Sequence, residues 1–153
     1  MRLWQQDLDG GVNEPDAASS VAVDPRGDVA AAGVTVNAVG NFTVMKFSAA
    51  GTKLWQQDLS GTAGSAAANS VAVNARGDVV AGGITINTNN DFISTVAKFS
   101  RDGTGLWRHD LNGTGAGAEQ AFCVAIDNGG VVVAGGETSN SSSALTVLRF
   151  DKE

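Results

Sequence analysis

Tyrosine is absent from this sequence of 153 residues, and histidine and cysteine occur once each. The single cysteine, Cys123, excludes a disulfide within the chain, and it does not indicate a redox compartment. The single histidine, His109, leaves little material for general acid and base chemistry. These shortages argue against an enzyme before any motif is considered.

Basic residues are also scarce, with 10 Lys and Arg against 16 Asp and Glu and a net charge of −6. The isoelectric point near 4.6 follows from this balance. Affinity for nucleic acids rests mainly on Lys and Arg that neutralise phosphates, so the sequence argues against a nucleic acid partner. The same reasoning argues against an anionic membrane surface.

No hydrophobic run approaches the roughly 18 to 20 residues that span a bilayer. Met1 and Arg2 lead directly into the first repeat without an intervening hydrophobic region, so we expect the chain as given to be soluble, with any secretion signal already removed. Hydrophobic residues make up 42% of the chain and 20 residues are glycine, a composition typical of an all-β protein rich in turns.

A repeat organises the sequence. The hexapeptide Leu-Trp-Gln-Gln-Asp-Leu stands at residues 3–8 and again at 54–59, and an edited form stands at 106–111. Spacings of 51 and 52 residues are close to the roughly 40 to 50 residues of one four-stranded propeller blade. We predict a single repeat array over residues 1–153, with units of about 3–53, 54–105 and 106–153.

Each unit contains short strands separated by turns, which is typical of a sandwich, barrel or propeller. In the first unit, strands at 20–23 and 28–35 flank a turn in which Pro25 presets φ and Gly27 tolerates a positive φ. A third strand ends in Lys-Phe-Ser, and the Leu-Trp segment is the fourth. The chain therefore begins with a fourth strand and ends with a third strand.

An unpaired third strand is an edge that invites a partner. The fourth-strand segment at residues 3–8 and the open edge of the strand at 145–150 are complementary, so we predict closure by exchange of the N-terminal strand. The residues expected to form this closure are Leu3, Trp4, Leu8, Leu145, Val147 and Phe150.

The repeated motifs lie at residues 24–29, 33–35, 44–47 and 51–55 of the first unit. With these motifs the sequence resembles the bacterial SBBP-type β-propeller repeats, over essentially the whole chain and three times in succession. The resemblance implies a propeller of a kind common in secreted or surface-attached bacterial proteins, with a binding function and no catalytic residues.

Propellers usually contain about four to eight blades, so three are too few to close a ring. We predict a homodimer with two-fold symmetry that forms one six-bladed ring. The alternatives are a trimer of nine blades, and a chain excised from a longer propeller.

Two columns of the repeat carry candidate binding residues. Trp4, Trp55 and Trp107 recur once per unit, and we favour packing between blades over stacking on sugars. Lys46, Lys98 and Arg149 form the other column. If Phe47 pairs with Leu54, then Lys46 lies opposite Trp55, which favours a cation–π contact over a site for anionic ligands.

Other motifs are interpreted as structural. Arg-Gly-Asp at residues 26–28 and 76–78 falls in a turn that needs glycine, and the segment at 127–129 is a turn rather than a calcium loop. Cys123 replaces serine and is expected to pack near the channel as a small apolar group. His109 replaces glutamine, and no nucleophile with an orienting group accompanies it.

We therefore predict a non-enzymatic, self-assembling β-propeller scaffold or binding module, without metal or other cofactor. The expected partner is a second copy, with a glycan or a protein as ligand. A multivalent lectin with one site per blade is the first alternative, and a propeller hydrolase or lyase is the second. No motif in the sequence names the ligand.

Overall fold

A computed structural model describes residues 1–61, 64–113, 117–139 and 142–152. Within these residues the regular structure consists of eleven strands in three antiparallel sheets that follow one another along the chain, which confirms the all-β prediction. No helix in the described ranges is long and apolar enough to cross a membrane.

The first sheet contains β1 (Ala17–Val23), β2 (Val29–Val36), β3 (Gly40–Phe47) and β4 (Lys53–Leu59). The second contains β5 (Ala67–Val73), β6 (Val79–Ile86), β7 (Phe92–Phe99) and β8 (Gly105–Leu111), and the third contains β9 (Gln120–Ile126), β10 (Val132–Ser139) and β11 (Ser143–Phe150).

The hairpin turn between β1 and β2 forms for the reason that its sequence predicts. Gly27 has a φ of 82°, which an L side chain rarely adopts, and its N–H donates to the Asp24 carbonyl at 2.9 Å. The Asp24 carboxylate accepts the N–H groups of Arg26 and Asp28. The turns at Gly77 and Gly130 are closed in the same way.

Strands that are consecutive along the chain are neighbours in all three sheets. The orders are β1-β2-β3-β4, β5-β6-β7-β8 and β9-β10-β11. The third sheet therefore has three strands in the described chain, and β11 lies at its edge. Lys46 lies opposite Trp55, as predicted. The predicted pairing of Phe47 with Leu54 is wrong: Phe47 pairs with Lys53, because an irregularity between Lys46 and Phe47 shifts the register.

The sheets pack face to face in sequence order. We call the face of a sheet that points to the following sheet its front face, and the face that points to the preceding sheet its rear face. Because side chains alternate along a strand, neighbouring residues lie on opposite faces. Val79 belongs to the core shared with the first sheet and Val80 to the core shared with the third.

The core between the first and second sheets is apolar and closed. Phe42 and Val44 on the front face of the first sheet are fully buried against Ala68 and Val79 on the rear face of the second. Val80 and Val96 on the front face of the second sheet are buried in the same way against Ala121 and Val132 of the third. Each junction thus uses one front face and one rear face.

Buried lysines cross both junctions. The side chain of Lys46 is fully buried, and its Nζ donates to the carbonyl of Gly77 at 2.9 Å and pairs with the Asp24 carboxylate at 3.2 Å. Lys98 repeats the first contact, with its Nζ 3.0 Å from the Gly130 carbonyl. The residue that corresponds to Asp24 in the second sheet is Asn74, so Lys98 has an amide where Lys46 has a carboxylate.

The carboxyl group of Asp24 is held in its charged form. Burial alone would raise its pKa, but the N–H groups of Arg26 and Asp28 donate hydrogen bonds to it, and the ammonium of Lys46 lies 3.2 Å from its other oxygen. Together they outweigh burial, and the pKa lies below the ordinary value of 3.8. A carboxyl group whose pKa is lower in the folded state stabilises the fold above its unfolded pKa. That contribution is lost as the pH falls through the folded pKa.

We expect the substitution Asp24→Asn to lower the free energy of unfolding by about 1 to 3 kcal/mol near neutral pH, since it removes a charge-assisted hydrogen bond to Lys46. The difference between the two proteins should shrink as the pH is lowered below about 4, because the wild-type carboxyl then takes up a proton. Urea unfolding at several pH values measures both effects. A difference that stays constant down to pH 2 would contradict the ion pair.

Candidate functional site

The N-terminal segment, residues 1–10, packs against the rear face of the first sheet. Trp4 lies over Phe47 with ring centroids 6.0 Å apart, and its indole N–H donates to the Ala49 carbonyl at 3.1 Å. A Cβ on Gly51 would lie 2.7 Å from the Trp4 ring, so only glycine permits this approach. Residues 1–10 nevertheless form no strand.

The second sheet receives Trp55 of β4 with the same contacts. Trp55 lies 5.8 Å from Phe99, its indole N–H donates to the Arg101 carbonyl at 2.9 Å, and a Cβ on Gly103 would lie 2.7 Å from the ring. The N-terminal segment is therefore held on the first sheet as β4 is held on the second.

Two further contacts extend this equivalence. The side-chain amide of Gln6 donates to the Gly51 carbonyl at 3.0 Å, and that of Gln57 donates to the Gly103 carbonyl at 3.0 Å. At the end of the hexapeptide, Gly10 lies against the backbone of Val36, as Gly61 lies against Ile86. Residues 1–10 thus lie on the first sheet where the fourth strand of a preceding sheet would lie. The other three strands of such a sheet are not found among the described residues.

On the third sheet Trp107 takes the corresponding position over Phe150, with centroids 5.3 Å apart. Its indole N–H is buried and has no acceptor among the described residues. His109 stands where the other repeats have glutamine, and it stacks on Phe150 at 4.9 Å with the rings 18° from parallel. The single histidine therefore takes part in packing.

The front face of the third sheet is open. Leu145 is 88% exposed, although the corresponding Phe42 is fully buried. Val147 is 65% exposed, although Val44 and Val96 at the same position are fully buried. Phe122 and Val133 extend this exposed apolar surface.

The rear face of the first sheet is open in the complementary way. Val21 is 65% exposed, and the corresponding Val71 of the second sheet is only 6% exposed. Val23 is likewise exposed. A groove of about 430 Å³ lies along this face, between the N-terminal segment and the strands, and it is lined by Trp4, Leu8, Val21, Ala31, Met45 and Phe47 among others.

The column of cations divides between buried and exposed positions. Lys46 and Lys98 are buried at the junctions, and Lys98 Nζ also lies 5.9 Å from the Trp107 ring. Their positions favour structural roles over a site for anionic ligands. Arg149 is exposed beside the open front face and pairs with Asp151 at 2.6 Å.

Cys123 is exposed, contrary to the expectation that it packs as a small apolar group. The reason is its place in the repeat. Ser20 and Ser70, at the same position, each accept a backbone N–H from the following sheet, those of Val71 and Val124. Among the described residues, no later sheet offers an N–H group to Cys123.

Sequence reasoning missed a polar column that runs through all three sheets. Threonine hydroxyls on the second and third strands of each sheet lie within hydrogen-bond distance of each other, and an aspartate on the fourth strand extends the first two pairs. The repetition of Thr and Asp at fixed positions was the available signal. The members are Thr35, Thr43 and Asp58, then Thr85, Thr95 and Asp110, then Thr138 and Thr146.

A shallow groove at the rim between the first two sheets is the surface that most resembles a sugar-binding site. It is lined by Leu54, Trp55, Asp78, Ser100, Arg101 and Asp102. One face of the Trp55 ring is already covered by Phe99 and Gly103. In the described parts of the chain, no group of three or more His, Cys, Asp or Glu residues is arranged to hold a metal ion.

No family model matches the chain, and no curated protein matches it. Among solved structures, a protein of unknown function from Bacteroides caccae, determined at 1.35 Å resolution, has a similar fold with a TM-score of 0.56 at 10% sequence identity. The likeness covers 99% of this chain and 50% of the other. This likeness concerns the fold alone, and the chain spans half the length of this neighbour.

The tryptophan contacts predict unequal effects of the same substitution. We expect Trp55→Phe to lower the free energy of unfolding by about 1 kcal/mol more than Trp107→Phe, because of these two only Trp55 donates an indole hydrogen bond within the described residues. Chemical denaturation of the two variants measures the difference. Equal losses would show that the bond to the Arg101 carbonyl adds nothing to packing.

Proposed function

We propose that the chain is a non-enzymatic, self-assembling β-propeller scaffold, two copies of which close a six-bladed ring. In this assembly the front face of the third sheet of each copy packs on the rear face of the first sheet of the other. The carrying observation is that Leu145 and Val147 are exposed, whereas the residues at the same repeat positions are fully buried.

The open faces fit a second copy of this chain. The two internal junctions already join a front face of this repeat to a rear face of this repeat. A second copy therefore presents to each open face the kind of surface that its counterparts contact. Each Val or Leu side chain buried in this way contributes roughly 1.5 to 3 kcal/mol. The ring contains two such junctions between copies.

Strand exchange completes the ring. β11 lies at the edge of a three-stranded sheet, while β3 and β7 each have a fourth strand beside them. The segment with the fourth-strand sequence is residues 3–8. It packs on the rear face of the first sheet, where the fourth strand of a preceding sheet would lie. In the proposed ring, Leu3, Trp4 and Leu8 of one copy pair with the strand of the other that contains Leu145, Val147 and Phe150.

Length supports the same stoichiometry. The neighbour from Bacteroides caccae is about twice as long as this chain, and the likeness covers 50% of it, so two copies of this chain together have the neighbour's length. Three sheets fall short of the four to eight blades that propellers usually need. Membership of the SBBP-type propeller repeats belongs to this proposal, as does the presentation of several equivalent loop sites to a protein or glycan ligand.

We expect sedimentation velocity to give one species with twice the 15.5 kDa mass of the chain. Deletion of residues 1–8 should abolish this discrete dimer, since it exposes both the edge of β11 and the groove on the first sheet. A monomer of the intact chain would overturn the proposal, and a trimer would replace six blades by nine. A homogeneous dimer after the deletion would exclude strand exchange.

A single introduced charge should weaken the dimer on either of the two open faces and should leave it unchanged elsewhere on the surface. We expect Val147→Asp or Val21→Asp to weaken the dimer at least a hundredfold, because each places a carboxylate in both junctions between copies. Leu54→Asp is the matched control, since Leu54 is 50% exposed beside an intact junction. A dimer unchanged by Val147→Asp, or weakened equally by Leu54→Asp, would contradict the interface.

A multivalent lectin is the second candidate, and it rests on the rim groove that contains Trp55 and two aspartates. Aromatic rings beside carboxylates are the surfaces that bind neutral sugars. A glycan array with the wild-type protein and Trp55→Phe tests it, and the absence of any bound glycan would remove this candidate. That the chain is not an enzyme stays a prediction.

A further inference from the structure

A directional chain of hydroxyl groups runs through the first sheet. The Oγ1 atoms of Thr35 and Thr43 lie 2.6 Å apart, and Thr43 Oγ1 donates to the carboxylate of Asp58 at 2.7 Å. Thr43 has one hydroxyl proton, and this proton forms the hydrogen bond to the carboxylate. Thr35 must therefore donate to Thr43, so both hydrogen bonds run in the direction of the Asp58 carboxylate on β4.

The second sheet repeats the arrangement. Thr85 and Thr95 are 2.8 Å apart, and Thr95 donates to Asp110 at 2.8 Å. Both hydroxyl groups belong to buried residues. Thr43 lies directly opposite Asp58 in the ladder, and Thr95 lies directly opposite Asp110. The carboxylate thus marks one fixed register between the third and fourth strands.

The third sheet has the hydroxyl pair without the carboxylate. Thr138 and Thr146 are 2.7 Å apart. Among the described residues, the other contact of the Thr146 hydroxyl is a long one of 3.5 Å to the Ala144 carbonyl. In the parts of the chain that the structure describes, no strand pairs with β11 on the side away from β10.

The missing carboxylate stands at the same repeat position in the N-terminal segment. Asp7 occupies the position of Asp58 and Asp110 in the hexapeptide. It is exposed, and it already accepts the side-chain amide of Gln5 at 2.8 and 2.9 Å, as Asp58 accepts that of Gln56. Asp7 thus already has the amide contact that Asp58 has in the first sheet.

We propose that Asp7 of one copy accepts the hydrogen bond of Thr146 in the other, and that this contact sets the register of the exchanged strand. The inference rests on the proposed ring. It pairs Thr146 with Asp7 and Leu145 with Leu8, as β3 pairs Thr43 with Asp58 and Phe42 with Leu59.

The contact determines specificity because strand pairing is otherwise tolerant. A shift by one residue would turn every side chain of the segment to the opposite face. A shift by two residues would keep the faces but would bring Gln5 or Asp9 opposite Thr146. Asp9 differs from Asp7 in its contacts, since its carboxylate caps the N–H of Gly11. In either register the part-buried Thr146 hydroxyl would lose the carboxylate of Asp7 as its acceptor, which would disfavour that register.

A double-mutant cycle on the dissociation of the full-length dimer tests the inference, with Asp7→Ala, Thr146→Val and the double variant measured by sedimentation equilibrium. The dimer contains two equivalent contacts, each worth roughly tenfold, so each single variant should weaken it about a hundredfold. The double variant should be no weaker than either single variant, because the first change already removes the bond.

Two control variants keep the result specific. Asp9→Ala removes the same charge from the same segment and should leave dimerisation within about threefold of wild type. Asp58→Ala removes the carboxylate of the intrachain contact, and it should lower the unfolding temperature without a selective loss of the dimer. Additive effects in the cycle, or equal losses for Asp7→Ala and Asp9→Ala, would overturn the role of Asp7 while the dimer itself stands. A wild-type chain that is monomeric would overturn the ring.

Discussion

The structure depends on the burial of the apolar faces of neighbouring sheets against each other. Alternation along each strand gives a sheet a front face and a rear face, and each must be covered to remove its side chains from water. The second sheet meets this requirement on both sides, with Val79 facing one neighbour and Val80 the other. The first and third sheets each lack one neighbour, and their uncovered faces carry the large exposed apolar residues Val21 and Leu145.

Local features of the fold were predictable because their causes are local. The spacing of the hexapeptide gave the repeat, Pro25 and Gly27 gave the turn, and the hairpin placed Lys46 opposite Trp55. The bulge that removes Leu54 from the pairing was not predictable, since both registers fit the alternation. The hydroxyl chains were missed for a related reason: Thr35, Thr43 and Asp58 lie on three strands, and their contact depends on two registers at once.

The repeats diverge most freely where the backbone supplies one side of a contact. Asn74 replaces Asp24, yet Lys98 keeps the same carbonyl acceptor that Lys46 uses. A main-chain carbonyl is present whatever the side chain, so the position of Asp24 and Asn74 tolerates exchange. His109 replaces glutamine in another way, since it stacks on Phe150. Glycine is retained at residues 51 and 103, because the tryptophan ring leaves no room for a Cβ.

In the proposed ring the copies assemble head-to-tail, because the front and rear faces are different surfaces. After a first contact forms between two copies, one front face and one rear face remain free on the same particle. Their meeting is then a unimolecular event, favoured by an effective concentration that tethering raises far above that of free chains. The angle between successive sheets decides the outcome, because a rotation that closes gives a discrete ring and one that does not gives a growing filament.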